Sequence, residues 1–118
     1  MADTANRRAV GAYFEELAAR YLEKQGYSIL ERNFSSRYGE IDLIARDKDT
    51  IVFVEVKYRS SISAGDPAEA ITARKQERIR KTARYYLCIH QISEDIPCRF
   101  DVATVLGSQI RLIKNAFY

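Results

Sequence analysis

Residues 39–59 confine the fold more than any other part of the chain. "GEIDLIA" and "IVFVEVKYR" both have strand character and are separated by the polar "RDKDT". Two such runs around a short polar turn make an antiparallel hairpin. Its register follows from matching like with like. If Leu43 faces Val54, then Ile41 faces Val56 and Ala45 faces Val52, giving one wholly apolar face. On the other face Ile44 meets Phe53, Asp42 meets Glu55 and Glu40 meets Lys57. A turn of even length centred on Lys48-Asp49 produces this register, and an odd one does not.

The rest of the chain supplies what such a hairpin needs to become a sheet. Residues 8–25 carry Phe14, Leu17, Ala18, Tyr21 and Leu22 at the spacing of one buried helical face, with residues 1–7 expected to be a flexible lead-in. "YSILERN" is a short strand. "GDPAEA" announces a second helix, with Asp66 as N-cap, Pro67 at the first position and Glu69 completing a capping box, and this helix is expected to run to about His90. "CRFDVATVL" and "QIRLIKNAF" are strands joined across Gly107-Ser108. The order αβββαββ predicts one α/β domain over residues 1–118, a mixed five-stranded sheet with flanking helices.

Composition excludes more than it selects. The chain has 118 residues, 47% of them hydrophobic and 30% charged, which suits a single soluble domain. No stretch approaches the roughly 18 apolar residues of a membrane span, and "MADTANRRAV" lacks the apolar segment of a secretory signal. A cytoplasmic protein with no membrane partner is therefore expected. Cys88 and Cys98 show no metal-ligand spacing, so reduced, packed thiols are expected. A net charge of +3 is only weakly basic, and its distribution matters more than its size.

The chemistry sits in the hairpin. Directly opposed side chains have Cβ atoms about 4.5–5.5 Å apart, so Asp42 and Glu55 place two carboxylates in repulsion. Such a pair shares a proton or recruits a cation. Magnesium, or manganese in its place, takes oxygen ligands, commonly one or two carboxylates, and leaves other positions to water and phosphate. Lys57, further along the same face, could orient or deprotonate a water or offset charge developing on phosphorus. The competing reading, a surface ion pair between Glu55 and Lys57 worth at most about 1 kcal/mol, leaves Asp42 unexplained. The pattern reads as metal-assisted phosphodiester hydrolysis.

"GEIDLIA", "FVEVKYR", "GDPAEA", a Lys-containing basic helix, "RFDV" and the terminal "NAF" together closely resemble the YraN-like family of small bacterial proteins. That family is similar to Holliday-junction resolvases and belongs with the restriction-endonuclease-like nucleases of the PD-(D/E)xK type. The resemblance implies that fold and a DNA substrate, including branched DNA. It implies Asp42 and Glu55 as metal ligands, and Lys57 as the water-activating or charge-stabilising group. Resolvase-like nucleases also place a first-helix glutamate near the metal, and Glu15 matches that position, although Phe14 replaces the second glycine of the family's Gly-x-x-Gly-Glu stretch. Helical geometry agrees, since Glu15 lies at the margin of the apolar arc and Glu16 nearly opposite. Lys75 and Gln76 match a helix that supports the site in related nucleases, which makes both candidates for contacts behind the metal ligands or to nucleic-acid phosphates, and Gln76 also reads as a satisfied structural amide. Resolvases of this type act as symmetric dimers, so a homodimer and a monomer both stay open.

Several other residues carry weaker signals. Arg59 continues the active face and is a phosphate candidate. Arg78 belongs, with Arg74, Arg80, Lys81 and Arg84, to an outer arc that either meets DNA phosphates or is simply solvated. Glu40 is a ligand or a partner of Lys57, Asp101 reads as structural, and His90 as surface. Tyr13, Tyr21 and Tyr86 fall at core-like helical positions. An alternative function is a nucleic-acid-binding module that kept the fold without turnover, and a third is a protein-interaction adaptor.

Overall fold

The computed structural model describes the backbone of residues 2–59 and 71–118, and side chains from Arg8 onward within those ranges, Arg59 excepted. The elements are α1 (Ala2–Lys24), β1 (Ser28–Ser36), β2 (Gly39–Asp47), β3 (Thr50–Arg59), α2 (Ala73–Ile89), β4 (Cys98–Leu106) and β5 (Gln109–Phe117). The five strands form one sheet in the order β1-β2-β3-β4-β5. β3 and β4 are parallel, joined by the crossover through α2, and the other neighbours are antiparallel. This is the mixed α/β arrangement that the sequence predicts.

Period-two alternation in the central strands builds a layer on each side of the sheet. Val52 and Val54 of β3, with Leu43 and Ala45 of β2, pack against Ala18, Ala19 and Leu22 of α1. Ile51 and Phe53, with Ile44 and Val102, pack against Ile79, Ala83 and Tyr86 of α2. Small residues on α1 let the helix lie close to the valines, whereas α2 presents larger side chains to Phe53. Gly39, at φ 152°, opens β2 where the hairpin passes under α2. A Cβ there would stand 3.5 Å from Cβ of Arg78 and 3.7 Å from Oγ1 of Thr82, and the neighbouring Ser36 hydroxyl lies 3.1 Å from that same Thr82 oxygen.

The β2–β3 register matches expectation where the strands pair: Leu43 with Val54, Ile44 with Phe53 and Ala45 with Val52, around Lys48-Asp49. Pairing then stops. The expected partners Ile41–Val56, Asp42–Glu55 and Glu40–Lys57 are not in the ladder, and Ile41 packs in the α2 layer rather than opposite Val56. β2 meanwhile stays paired with β1 to Gly39, and β3 stays paired with β4 to Arg59. The sheet therefore forks between β2 and β3.

Both helix starts differ from expectation. α1 begins at Ala2, so its backbone takes in most of the segment expected as a lead-in. The Asp66–Glu69 capping signal lies outside the described residues. Ile71 and Thr72 are not helical, so no single helix runs from Asp66 to His90. Instead Thr72, extended at ψ 158°, is the N-cap, its side chain accepting a 3.1 Å bond from the Lys75 N–H. The side-chain amide of Gln76 donates to the Ile71 carbonyl at 3.0 Å and ties the entry together.

A buried ion network holds β4. Asp101 is fully buried and accepts from Nε of Arg99 at 3.0 Å and from the Asn115 N–H at 3.1 Å. That second bond fills the bulge at which β5 slips against β4 between Phe100 and Val102. Arg99 also donates to the Tyr27 hydroxyl at 2.7 Å and to Asp47 at 3.3 Å, so one guanidinium links β4 to β2 and to the residue that precedes β1. Asp101→Ala leaves the guanidinium and a bulge N–H without their acceptor and is expected to cost about 3–5 kcal/mol. Asp47→Ala, at the more exposed partner, is expected to cost under about 1 kcal/mol. Urea midpoints check this, and equal losses from the two variants would contradict the network's assigned centre.

Candidate active site

Asp42 and Glu55 stand where β2 and β3 part. The Val56 N–H, which has no β2 carbonyl beyond the end of the ladder, donates to Oδ2 of Asp42 at 2.8 Å. The carboxylate thus stabilises the split as well as lining it. A cleft of about 690 Å³ opens there, lined by Glu40, Asp42, Glu55, Lys57 and Lys75, and by Glu15 from α1. A second lobe of about 450 Å³ continues past Gly39, Arg74 and Arg78 along α2. Because the sheet is open at this end, α1 from one layer and α2 from the other reach the same space.

Charge is crowded in this cleft. Burial first, and then the charge of Glu55, push Asp42 up to about 7 from an ordinary 3.8, against the pull of its bond from Val56 and of Lys75. Burial likewise raises Glu15, helped by the charges of Glu40 and Glu55 and opposed by hydrogen bonds with Asn33 and Asp42. Glu55, 8% exposed, is held by a 2.7 Å salt bridge from Nζ of Lys75. Burial works against the Lys75 ammonium, but the bond and charge of Glu55 outweigh it, so Lys75 holds its proton more tightly than a free lysine.

The expected site residues divide into three groups. Asp42, Glu55, Lys57 and Glu15 come together, with Glu40 beside them. Lys75 is drawn inward as the partner of Glu55, the supporting rather than the phosphate-binding role of the two expected of it. With Thr72 as N-cap, Lys75 falls in the first turn, facing the strand ends. Arg78 lines the second lobe and is exposed. Gln76 lines neither lobe, and its amide is committed to Ile71. The side chain of Arg59 lies outside the described residues. Glu16 points away and pairs with Arg20 and Arg32, as helix geometry predicts. His90 is the exposed C-cap of α2.

Two further expectations are corrected. Tyr86 is buried at 4%, but Tyr13 is 60% exposed at the end of α1 nearest the cleft, where that helix extends beyond the core. Cys88 and Cys98 are free but exposed rather than packed. Cys88 lies near the C-terminal end of α2 and Cys98 opens β4, and neither position is covered by a further layer.

The donor set suits a hard cation. It offers carboxylate oxygens and, among the described residues, no histidine beside them, and Lys75 only partly counters the burial and the Glu55 charge that raise Asp42. Among the described residues no group of three or more His, Cys, Asp or Glu side chains is placed to hold a metal ion. Asp42 and Glu55 would be the protein's share of a magnesium shell, which commonly takes one or two carboxylates.

The fold and the cleft define an α/β protein with an acidic, lysine-lined site at a split in its sheet. The chain matches the uncharacterised protein family UPF0102 over residues 14–105 and belongs to that family. It is 54% identical over 112 residues to a UPF0102 protein of Lachnoclostridium phytofermentans, covering 95% of each chain. A UPF0102 protein of Nitrosomonas europaea is 48% identical over 110 residues, covering 91% of this chain and 92% of its own. One of Acetivibrio thermocellus is 48% identical over 122 residues, covering 95% and 93%.

Asp42 makes stability depend on pH. Its folded pKa is raised, so the stability it contributes is fully present below the ordinary 3.8 and is lost as pH rises through about 7. Asp42→Asn, which keeps an acceptor for Val56, is expected to stabilise the fold at pH 8 by on the order of 2 kcal/mol and to have little effect at pH 4. Urea unfolding at the two pH values checks the sign. A variant less stable than the native chain at pH 8 would contradict the repulsion.

Proposed function

We propose that this protein is a divalent-metal-dependent endonuclease that hydrolyses phosphodiester bonds in DNA, branched DNA included. The observation that carries the reading is the convergence of Asp42, Glu55 and Lys57 at the fork, with Asp42 pushed up to about 7. Membership in a family whose motifs resemble those of PD-(D/E)xK nucleases supports it. Asp42 and Glu55 would hold magnesium or manganese, which when bound supplies charge neutralisation at phosphorus and acidifies water.

The chain's own residues do the rest. Asp42 gives up its proton at working pH and becomes an anionic ligand still oriented by the Val56 N–H. Lys57 places an ammonium in the cleft, where it orients the attacking water and offsets charge on the phosphate oxygens. Glu15 brings a further carboxyl to the cleft, and its charge helps raise Asp42. Lys75 holds Glu55 in place, and Arg78 meets a phosphate further along the second lobe.

Arg74, Lys81 and Arg84 extend the basic face of α2 and are exposed, so DNA affinity should fall steeply with salt. Among the described residues no helix is long and apolar enough to cross a membrane. A cytoplasmic protein acting on DNA alone or as a homodimer fits this reading.

Junction, flap and linear DNA incubated with magnesium or manganese should be cleaved. Asp42→Ala, Glu55→Ala and Lys57→Ala are each expected to lower the rate by at least about 100-fold. Cleavage that survives Asp42→Ala would sink the assignment. Salt-sensitive DNA binding without cleavage under either metal would instead return the protein to a binding module that kept the fold without turnover.

A further inference from the structure

The mouth of the cleft is aromatic. Phe14 of α1 and Tyr58 of β3 line it together with Asp42, Glu55 and Lys57. Their rings stack with centroids 4.0 Å apart and planes 17° off parallel, and Tyr13 meets the edge of Phe14 at 5.2 Å. Tyr58 nevertheless remains 47% exposed, whereas Phe53 on the same strand is 1% exposed. Phe14 covers one face of the Tyr58 ring and fixes its plane, which leaves an oriented aromatic surface one residue beyond Lys57.

We propose that Tyr58, backed by Phe14, is a stacking platform for an unpaired nucleobase of the strand whose phosphate enters the cleft. The proposal rests on the nuclease reading and narrows it: the substrate has unpaired nucleotides at the site, as a flap, gap or junction arm does, rather than continuous duplex. A base inside a duplex is already stacked on both faces and cannot meet the ring, whereas an unpaired base offers a free π-face whatever its identity. A nucleotide also matches the neighbouring chemistry, its phosphate suiting the cations and its base suiting the ring. An apolar protein partner seated on Tyr58 would have to desolvate Glu15, Asp42, Glu55 and Lys57 beside it, and interface cores are depleted of such charge.

The test uses oligonucleotides carrying 2-aminopurine, whose fluorescence falls on stacking, in single-stranded, gapped and fully duplex form, in EDTA so that nothing is cleaved. The native protein should quench the unpaired forms and bind them roughly 5- to 150-fold more tightly than Tyr58→Ala does. Tyr58→Phe should match the native protein, and blunt duplex affinity should be unchanged in both variants. Tyr58→Leu, which keeps apolar bulk against Phe14 without a π-face, should behave as Tyr58→Ala and guards against a folding defect. No quenching by the native protein, or an equal loss on duplex and unpaired DNA, would overturn the platform. Quenching that depends on Tyr58 in a protein that cleaves nothing under any divalent ion would uphold the platform while removing the nuclease reading. Cleavage indifferent to Tyr58 would do the reverse.

Discussion

Two carboxylates at the point where β2 and β3 separate set the terms for the rest of this structure. Burial alone would protonate an isolated aspartate there; beside Glu55 the cost of ionising Asp42 is larger still. Two devices meet that cost, and the charge of Glu15 adds to it. The Val56 N–H donates to Asp42, and Lys75 bridges to Glu55. Each also fixes an element: the N–H belongs to the diverging strand and the ammonium to α2. The crowded charges and the architecture are therefore one problem with one solution.

What keeps the fork open lies away from it. β2 is held by β1 on its far side, and β3 by β4, so each strand keeps its outer hydrogen bonds when the two part. β4 is in turn secured by the Arg99–Asp101 network, which reaches Tyr27 and Asp47. Gly39 lets the start of β2 pass under α2 and brings Arg78 and Thr82 close to the second lobe. The cleft is thus a consequence of pairing satisfied elsewhere, and its side chains are held on regular elements rather than loops.

Much of this was legible in the sequence. Alternation of apolar residues gave the strands and the register around Lys48-Asp49, because a one-residue slip would turn Leu43 and Val54 out of the core. The grouping of Asp42, Glu55 and Lys57 followed from the same register, and Glu15 from helix geometry. The end of the ladder was not legible, since nothing in "GEID" or "EVKY" signals that pairing stops and Asp42 takes a backbone partner. The start of α2 was misplaced because Asp66-Pro67 is the stronger local capping signal and Thr72 wins only through contacts made by Ile71 and Gln76. Tyr13 looked like core because periodicity cannot tell where a helix outruns the layer beneath it.

The account stands on the fork being a cation site. Crystals grown at pH 8 and soaked in manganese test it most directly through the metal's anomalous scattering. The account predicts a peak bridged by the carboxylates of Asp42 and Glu55, absent from Asp42→Asn crystals. A map without such a peak, with Lys75 still bonded to Glu55 at saturating manganese, would contradict it.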